Sequence, residues 1–129
     1  MKHKKTILMV DDDVDFTKMA KMLLEKTGLY EVGVCNESTA AVEWIRGWKP
    51  DLILLDVVMP NVDGGEIAAI LQKDKDLCSI PLVFMTSLMT AEEAAQNPLI
   101  AKHRFISKPI SGQTLLDRVR GFLELGNKP

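Results

Sequence analysis

Five short apolar runs punctuate the chain: Ile7–Val10, Tyr30–Cys35, Leu52–Leu55, Leu82–Met85 and Arg104–Ser107. Several are continuously apolar and β-branched, without the polar alternation of a strand that has one wet face. That is the pattern of strands buried on both sides. Between the runs the apolar period changes. Phe16, Met19, Ala20 and Leu23 follow i, i+3, i+4, i+7, which is one stripe of a helix, and Gly28 supplies a stop. Ala41, Trp44, Ile45 and Trp48 repeat that spacing, with Ser38 or Thr39 as cap and Pro50 beyond the end. Ile67, Ile70 and Leu71 make a third stripe. Leu115, Val119, Phe122 and Leu123 make the last, opened by Ser111 and closed by Gly126. The segment between Leu88 and His103 is atypical: Thr90–Gln96 has helical character, but Asn97-Pro98 should end it early. Strand and helix thus alternate five times. The expected architecture is a parallel sheet with helices on both faces and right-handed crossovers, a doubly wound α/β fold.

The length of 129 residues is one domain's worth, with no room for a second sizeable module. At 47% hydrophobic and 26% charged the composition is that of a globular domain, and 5% aromatics leave the core to aliphatic side chains. A net charge of −2 argues against a sequence-independent nucleic-acid binder. Lys2, His3, Lys4 and Lys5 resemble the basic start of a signal peptide, but the four apolar residues that follow run into three aspartates. With no membrane-length apolar run either, a cytoplasmic protein is expected. Cys35 and Cys78 are too few for a disulfide scaffold, and both read as buried packing thiols. Trp44 and Trp48 read as helix-packing residues, His3 and His103 as surface residues.

Sheets of this kind bind ligands at the carboxyl ends of their strands. Asp11-Asp12-Asp13 follows the first run, Asp56 the third, Thr86-Ser87 the fourth and Lys108-Pro109 the fifth. Two unit charges about 4 Å apart repel by about 4 kcal/mol at an effective dielectric near 20, so gathered carboxylates call for a cation. A few hard oxygen ligands, without thiolates or clustered histidines, favour Mg²⁺ over zinc. With Lys108 as a second positive charge and Thr86 as a hydroxyl donor, the constellation is that of a phosphoryl site beside a carboxylate nucleophile.

The residues Ile7-Leu-Met-Val-Asp-Asp-Asp13, Pro50-Asp-Leu-Ile-Leu-Leu-Asp-Val-Val-Met-Pro60, Asp63-Gly64 and Lys108-Pro109 resemble the receiver domain of two-component response regulators, of the chemotaxis-regulator type. The resemblance spans a single domain over residues 1–129, with a core from about Lys5 to Leu125. It implies a flavodoxin-like, five-stranded sheet of order 2-1-3-4-5. It further implies that Asp56 accepts a phosphoryl group from a histidine of a sensor kinase or phosphotransfer protein. Asp11, Asp12 and Asp56, with the backbone carbonyl of Val58, would hold Mg²⁺. Thr86 would be the switch hydroxyl, Phe105 the switch aromatic and Lys108 the phosphate-binding ammonium, with a cis Lys108-Pro109 peptide. Such a domain is not an enzyme in the ordinary sense, since it catalyses only its own phosphorylation and dephosphorylation. The readout face would be formed by the fourth helix, within the 88–103 segment, the fifth strand and the fifth, last helix. It would address an output protein, a domain of the same chain or a second copy in a phosphorylation-dependent homodimer, with no direct contact to nucleic acid or membrane.

Val58 and Leu88 stand two residues after Asp56 and Thr86, where the family tunes hydrolysis of the phosphoryl group. Both are apolar and cannot orient an attacking water, so a long-lived acyl phosphate is expected. Asn97–Arg104 departs from the family and reads either as a specialised output surface or as an irregular loop with its apolar residues tucked into the core. A competing reading starts from Asp13-Val-Asp-Phe-Thr17, which matches the DxDxT nucleophile motif of haloacid-dehalogenase-like phosphatases and would place the chemistry on Asp13 and Asp15. No glycine-rich phosphate loop or HExxH motif supports a nucleotide- or zinc-dependent enzyme. A stand-alone regulator and a receiver cut from a longer chain both fit the sequence.

Overall fold

The computed structural model describes residues 4–57, 59–86, 96, 104–107 and 110–126. Five strands, β1 (Lys5–Val10), β2 (Tyr30–Cys35), β3 (Leu52–Asp56), β4 (Leu82–Thr86) and β5 (Arg104–Ser107), form one sheet of order β2-β1-β3-β4-β5. All four pairings are parallel, with Ile7 opposite both Val32 and Leu52, Ile53 opposite Leu82, and Phe84 opposite Phe105. Described helices are α1 (Val14–Lys26), α2 (Ala41–Trp48), α3 (Gly64–Gln72) and α4 (Gly112–Gly126), with a 3-10 turn at Ser38–Ala40. None is long and apolar enough to cross a membrane. Apart from the helical, exposed Gln96, the 88–103 segment, with its expected early helix stop at Asn97-Pro98, lies outside the described residues.

The unbroken apolar runs have the expected cause. Leu8, Val10, Ile53, Leu55 and Phe84 point to one face and pack with Ala41, Ile45, Ile67 and Leu71 of α2 and α3. Their neighbours Ile7, Met9, Leu52, Leu54, Val83 and Met85 point to the other and pack with Ala20, Leu24, Leu115 and Val119 of α1 and α4. Each such side chain, fully withdrawn from water, contributes roughly 1.5–3 kcal/mol.

Helix registers differ in detail from the expected stripes. In α1 the buried face is Thr17, Ala20 and Leu24, while Met19 is exposed. In α3 Ile67 and Leu71 are buried but Ile70 is exposed. An apolar residue at the rim of a stripe counts toward the pattern and still faces water. Trp44 and Trp48 do pack on each other edge to face, at 5.9 Å, and close over Gly33 of β2. A side chain at Gly33 would collide with both rings, so the glycine makes room for them. Cys35 is buried, and burial pushes its thiol pKa up. Cys78, expected inside, is exposed, because it falls in the turn after α3 and not on a core-facing stripe.

The helix ends follow local chemistry. The Asp13 carboxylate accepts from the Phe16 N–H at the start of α1, and Asp63 accepts from the Glu66 N–H at the start of α3. Ser38 and Thr39 do not cap α2. Its N-cap is Ala40, without a side-chain hydrogen bond, and Ser38 is employed elsewhere. The last turn of α2 is closed by Lys49 in the left-handed region at φ 49°, directly before Pro50.

Candidate functional site

Each strand of a parallel sheet ends at the same edge, and the acidic residues of β1 and β3 meet there. Asp11 directly follows β1 and remains in its ladder through an N–H bond to the Cys35 carbonyl (3.1 Å). Asp56 ends β3, and the next residue, Val57, donates to the Met85 carbonyl of β4 (3.1 Å). One carboxylate oxygen each of Asp11, Asp12 and Asp56 falls within a group no more than 4.8 Å across. Asp11 and Asp56 are buried, and Asp12 is exposed at the mouth. Like charges gathered this closely, two of them away from water, repel one another unless a cation is present. Among the described residues the clustered donors are carboxylates, which fits a hard divalent cation such as Mg²⁺.

The surrounding backbone is tied by Asn36, which the sequence pattern did not mark, and by Thr17 and Gly64, which it marked for other reasons. Asn36, just past β2, donates through Nδ2 to the Asp11 carbonyl (2.7 Å) and to the Thr17 hydroxyl (3.1 Å). Thr17 in turn bonds back to the Asp13 and Val14 carbonyls. Gly64 donates to the Val57 carbonyl (2.8 Å), and a Cβ on it would run into the Asp56 carbonyl oxygen. The pair Asp63-Gly64 is therefore a cap followed by a close backbone approach. Asn36-Glu-Ser-Thr39 was legible as a polar break after a strand. Placing that break at the acidic edge required knowing that β2 runs parallel beside β1.

A cavity of about 290 Å³ opens beside Asp12, lined also by Asn36, Glu37, Ser38, Pro60 and Asn61. Thr86 is the last residue of β4 and Phe105 stands in β5 opposite Phe84, but their side chains are outside the described part. Val58, Leu88, Lys108 and Pro109 lie wholly outside the described residues.

The phosphatase reading on Asp13 and Asp15 is corrected. Asp13 spends its carboxylate on the α1 N-terminus, and Asp15 is an exposed first-turn residue of that helix. The carboxylates that converge are Asp11, Asp12 and Asp56.

Comparison with known proteins agrees with this geometry. The chain is 34% identical over 119 residues to the phosphate regulon transcriptional regulatory protein PhoB of Pseudomonas aeruginosa, covering 92% of this chain and 52% of that protein. It is 28% identical over 120 residues to the DNA-binding response regulator MtrA of Mycobacterium tuberculosis, covering 93% of this chain and 51% of that protein. The chain thus spans about half the length of these curated relatives. Among solved structures, the signal receiver domain of a signal transduction histidine kinase from Syntrophus aciditrophicus superposes with a TM-score of 0.82 at 29% identity, covering 97% of this chain and 94% of that one. Residues 7–120 match the response regulator receiver domain family, and the chain belongs to that family of two-component signalling proteins.

Proposed function

We propose that the chain is a single receiver domain, with a core from about residue 5 to 125, whose phosphoacceptor is Asp56. The observation that carries this reading is the group of Asp11, Asp12 and Asp56 carboxylate oxygens within 4.8 Å at the end of the sheet. The donor is a phosphohistidine of a sensor kinase or phosphotransfer protein. An Asp56 carboxylate oxygen forms a bond to phosphorus, the phosphorus–nitrogen bond breaks, and the released imidazole takes up a proton. Mg²⁺ would be held by Asp12, Asp56 and the Val58 carbonyl, with Asp11 alongside. When bound, the ion neutralises charge on the transferring phosphoryl group. Asp11 and Asp12 hold the negative field that selects a cation, and burial of Asp56 keeps competing water away.

The modified Asp56 carries up to about two additional negative charges. The Lys108 ammonium and Thr86 hydroxyl bind those oxygens, and Phe105 follows Thr86 inward, which alters the face made by the 88–103 segment, β5 and α4. Shifting a two-state protein from 1:99 to 99:1 takes roughly 5.5 kcal/mol, which a few charge-assisted hydrogen bonds can supply. Val58 and Leu88 offer no group to orient a hydrolytic water, so the acyl phosphate, though lost by self-catalysis, is long-lived. The altered face binds an output protein, a further domain of the same protein or a second copy. We assign no nucleic-acid or membrane contact to these residues, and a cytoplasmic setting follows from partnership with a kinase that uses ATP.

The test uses the protein with Mg²⁺ and a small phosphodonor, followed by mass, with beryllofluoride binding followed separately by Trp44/Trp48 fluorescence. An adduct of phosphate mass is expected on the natural chain and none on Asp56→Asn. An adduct that persists in Asp56→Asn, or none on the natural chain, overturns the assignment.

A further inference from the structure

The loop that leaves Asp56 for α3 is held in an unfavourable shape by a residue from another part of the chain. Val62 donates to the Pro60 carbonyl two residues back (2.9 Å), and Asn61 between them sits at φ 73°. A hydrogen-bonded three-residue turn with its central residue at positive φ is rare and strained for any side chain. Asparagine tolerates positive φ better than most residues, but it does not remove the cost. The opposing force comes from Ser38, which is buried at the start of the 3-10 turn after β2. Its hydroxyl donates to the same Pro60 carbonyl (2.6 Å) and accepts from the same Val62 N–H (3.3 Å). One side chain therefore grips both ends of the strained turn, across 22 and 24 residues of sequence.

The position of that grip gives it a consequence. Ser38, Pro60 and Asn61 share a cavity wall with Asp12. Downstream, the loop is anchored where the Gly64 N–H meets the Val57 carbonyl. The Pro60–Val62 turn is thus held by Ser38 and followed directly by the Gly64 anchor, a few residues after Asp56.

We infer that Ser38 is a positioning residue for the cation site: by holding the Pro60–Val62 turn, it fixes the cavity wall that Pro60 and Asn61 form beside Asp12, where the ion would sit. This inference rests on the assignment of Asp12, Asp56 and Val58 as ligands. Its cost structure is that of conformational selection. If the turn relaxes once its grip is lost, only a fraction of molecules are competent, and the apparent affinity falls by that fraction. Losing one well-formed hydrogen-bond pair corresponds to a weakening of about fivefold.

The experiment is a titration of the unmodified, ¹⁵N-labelled protein with MgCl₂, followed by backbone amide shifts, together with thermal unfolding without the ion. Ser38→Ala is compared with Thr6→Ala, which removes hydrogen bonds to Asp51 at the opposite end of the sheet. Ser38→Ala is expected to weaken Mg²⁺ binding about fivefold while the adduct yield at saturating Mg²⁺ recovers, and Thr6→Ala to lower stability without changing Mg²⁺ affinity. Ser38→Cys keeps the volume with a poorer donor; it should fall between the two, and it serves if Ser38→Ala does not fold. Unchanged affinity in the Ser38 variants, or an equal loss in Thr6→Ala, overturns the inference while the ligand assignment stands. Absence of any Mg²⁺-dependent shift in the natural protein overturns both.

Discussion

The two ends of the sheet treat carboxylates in opposite ways. At the amino end, Asp51 precedes β3 and is enclosed by Thr6: its Oδ2 accepts from the Thr6 N–H (2.8 Å) and hydroxyl (3.1 Å). The Asp51 N–H returns the bond to the Thr6 hydroxyl and carbonyl, joining β1 to the start of β3. At the carboxyl end, Asp11, Asp12 and Asp56 converge within 4.8 Å of one another. The first arrangement matches donors to acceptors and stabilises the fold. The second concentrates like charge, which costs stability until a cation arrives. A strand-end aspartate is therefore not informative by itself. What marks the chemical one is the crowding of other carboxylates, even where, as at Asp11, a donor (the Asp13 N–H) is also bound.

The largest effect that would break this contrast concerns packing at the carboxyl end. Gly64→Ala drives a methyl group against the Asp56 carbonyl and the Val57 Cα, backbone atoms that cannot swing aside. Overpacking of this kind should cost about 2–3 kcal/mol in urea unfolding. Gly47→Ala, in α2 with open space around it, should instead gain up to about 1 kcal/mol. If Gly64→Ala were as harmless as Gly47→Ala, the loop after Asp56 would not be tightly seated.

A smaller effect tests the electrostatic half. Asp51→Asn keeps one acceptor but loses the charge that strengthens the Thr6 bonds, and should destabilise by about 1 kcal/mol. Asp12→Asn removes one of three crowded charges and should stabilise the Mg²⁺-free protein by up to about 1 kcal/mol. Thermal unfolding should then show the natural protein gaining stability on Mg²⁺ addition and Asp12→Asn gaining less. Substitutions of the same sign at both ends would mean that the three carboxylates are not in effective repulsion.

The same contrast explains what the sequence disclosed. The positions of β1, β3 and β4 were readable to within two residues, because being buried on two faces leaves an unbroken apolar run. The acidic edge was readable because parallel strands end at one edge, but that Asp11 and Asp56 are neighbours there depends on β1 pairing with β3, an order that only the family resemblance implied. Rotational detail was not: Met19, Trp44 and Ile70 satisfy the helical period yet stand at the rim. In the sequence Ser38 or Thr39 reads as a cap, because capping and tertiary bridging use the same hydroxyl, and only the distant Pro60 carbonyl decides between them for Ser38. Asn36 escaped for a related reason, since its partner lies 25 residues away.

The smallest effect lies at the side of the sheet, where a paired carboxylate again does structural work. β2 is an edge strand, and Val32 presents its N–H and C=O away from β1. Glu25 of α1 accepts from that N–H (3.1 Å), and Lys21 donates both to that carbonyl and to Glu25 (3.1 Å). One ion pair on a helix thus occupies both outward groups in mid-strand, where an exposed edge invites pairing with another chain. The Val32 N–H, followed by Lys21, holds the Glu25 carboxyl below the ordinary carboxylate range. A carboxyl whose folded pKa is depressed adds stability that is present above its unfolded pKa, about 4.3, and is lost as pH falls through the lower folded value. Because Lys21 and Glu25 are 43% and 36% exposed, solvent screening limits the term to about 0.5 kcal/mol. Glu25→Gln retains an acceptor for Val32 but cannot titrate. Urea unfolding across a pH series should show the natural protein more stable than Glu25→Gln near neutrality. The gap should narrow as pH falls below the unfolded value and close once it passes the lower folded one. A gap that stays constant across the series would show that the hydrogen bond, and not the charge, secures the edge.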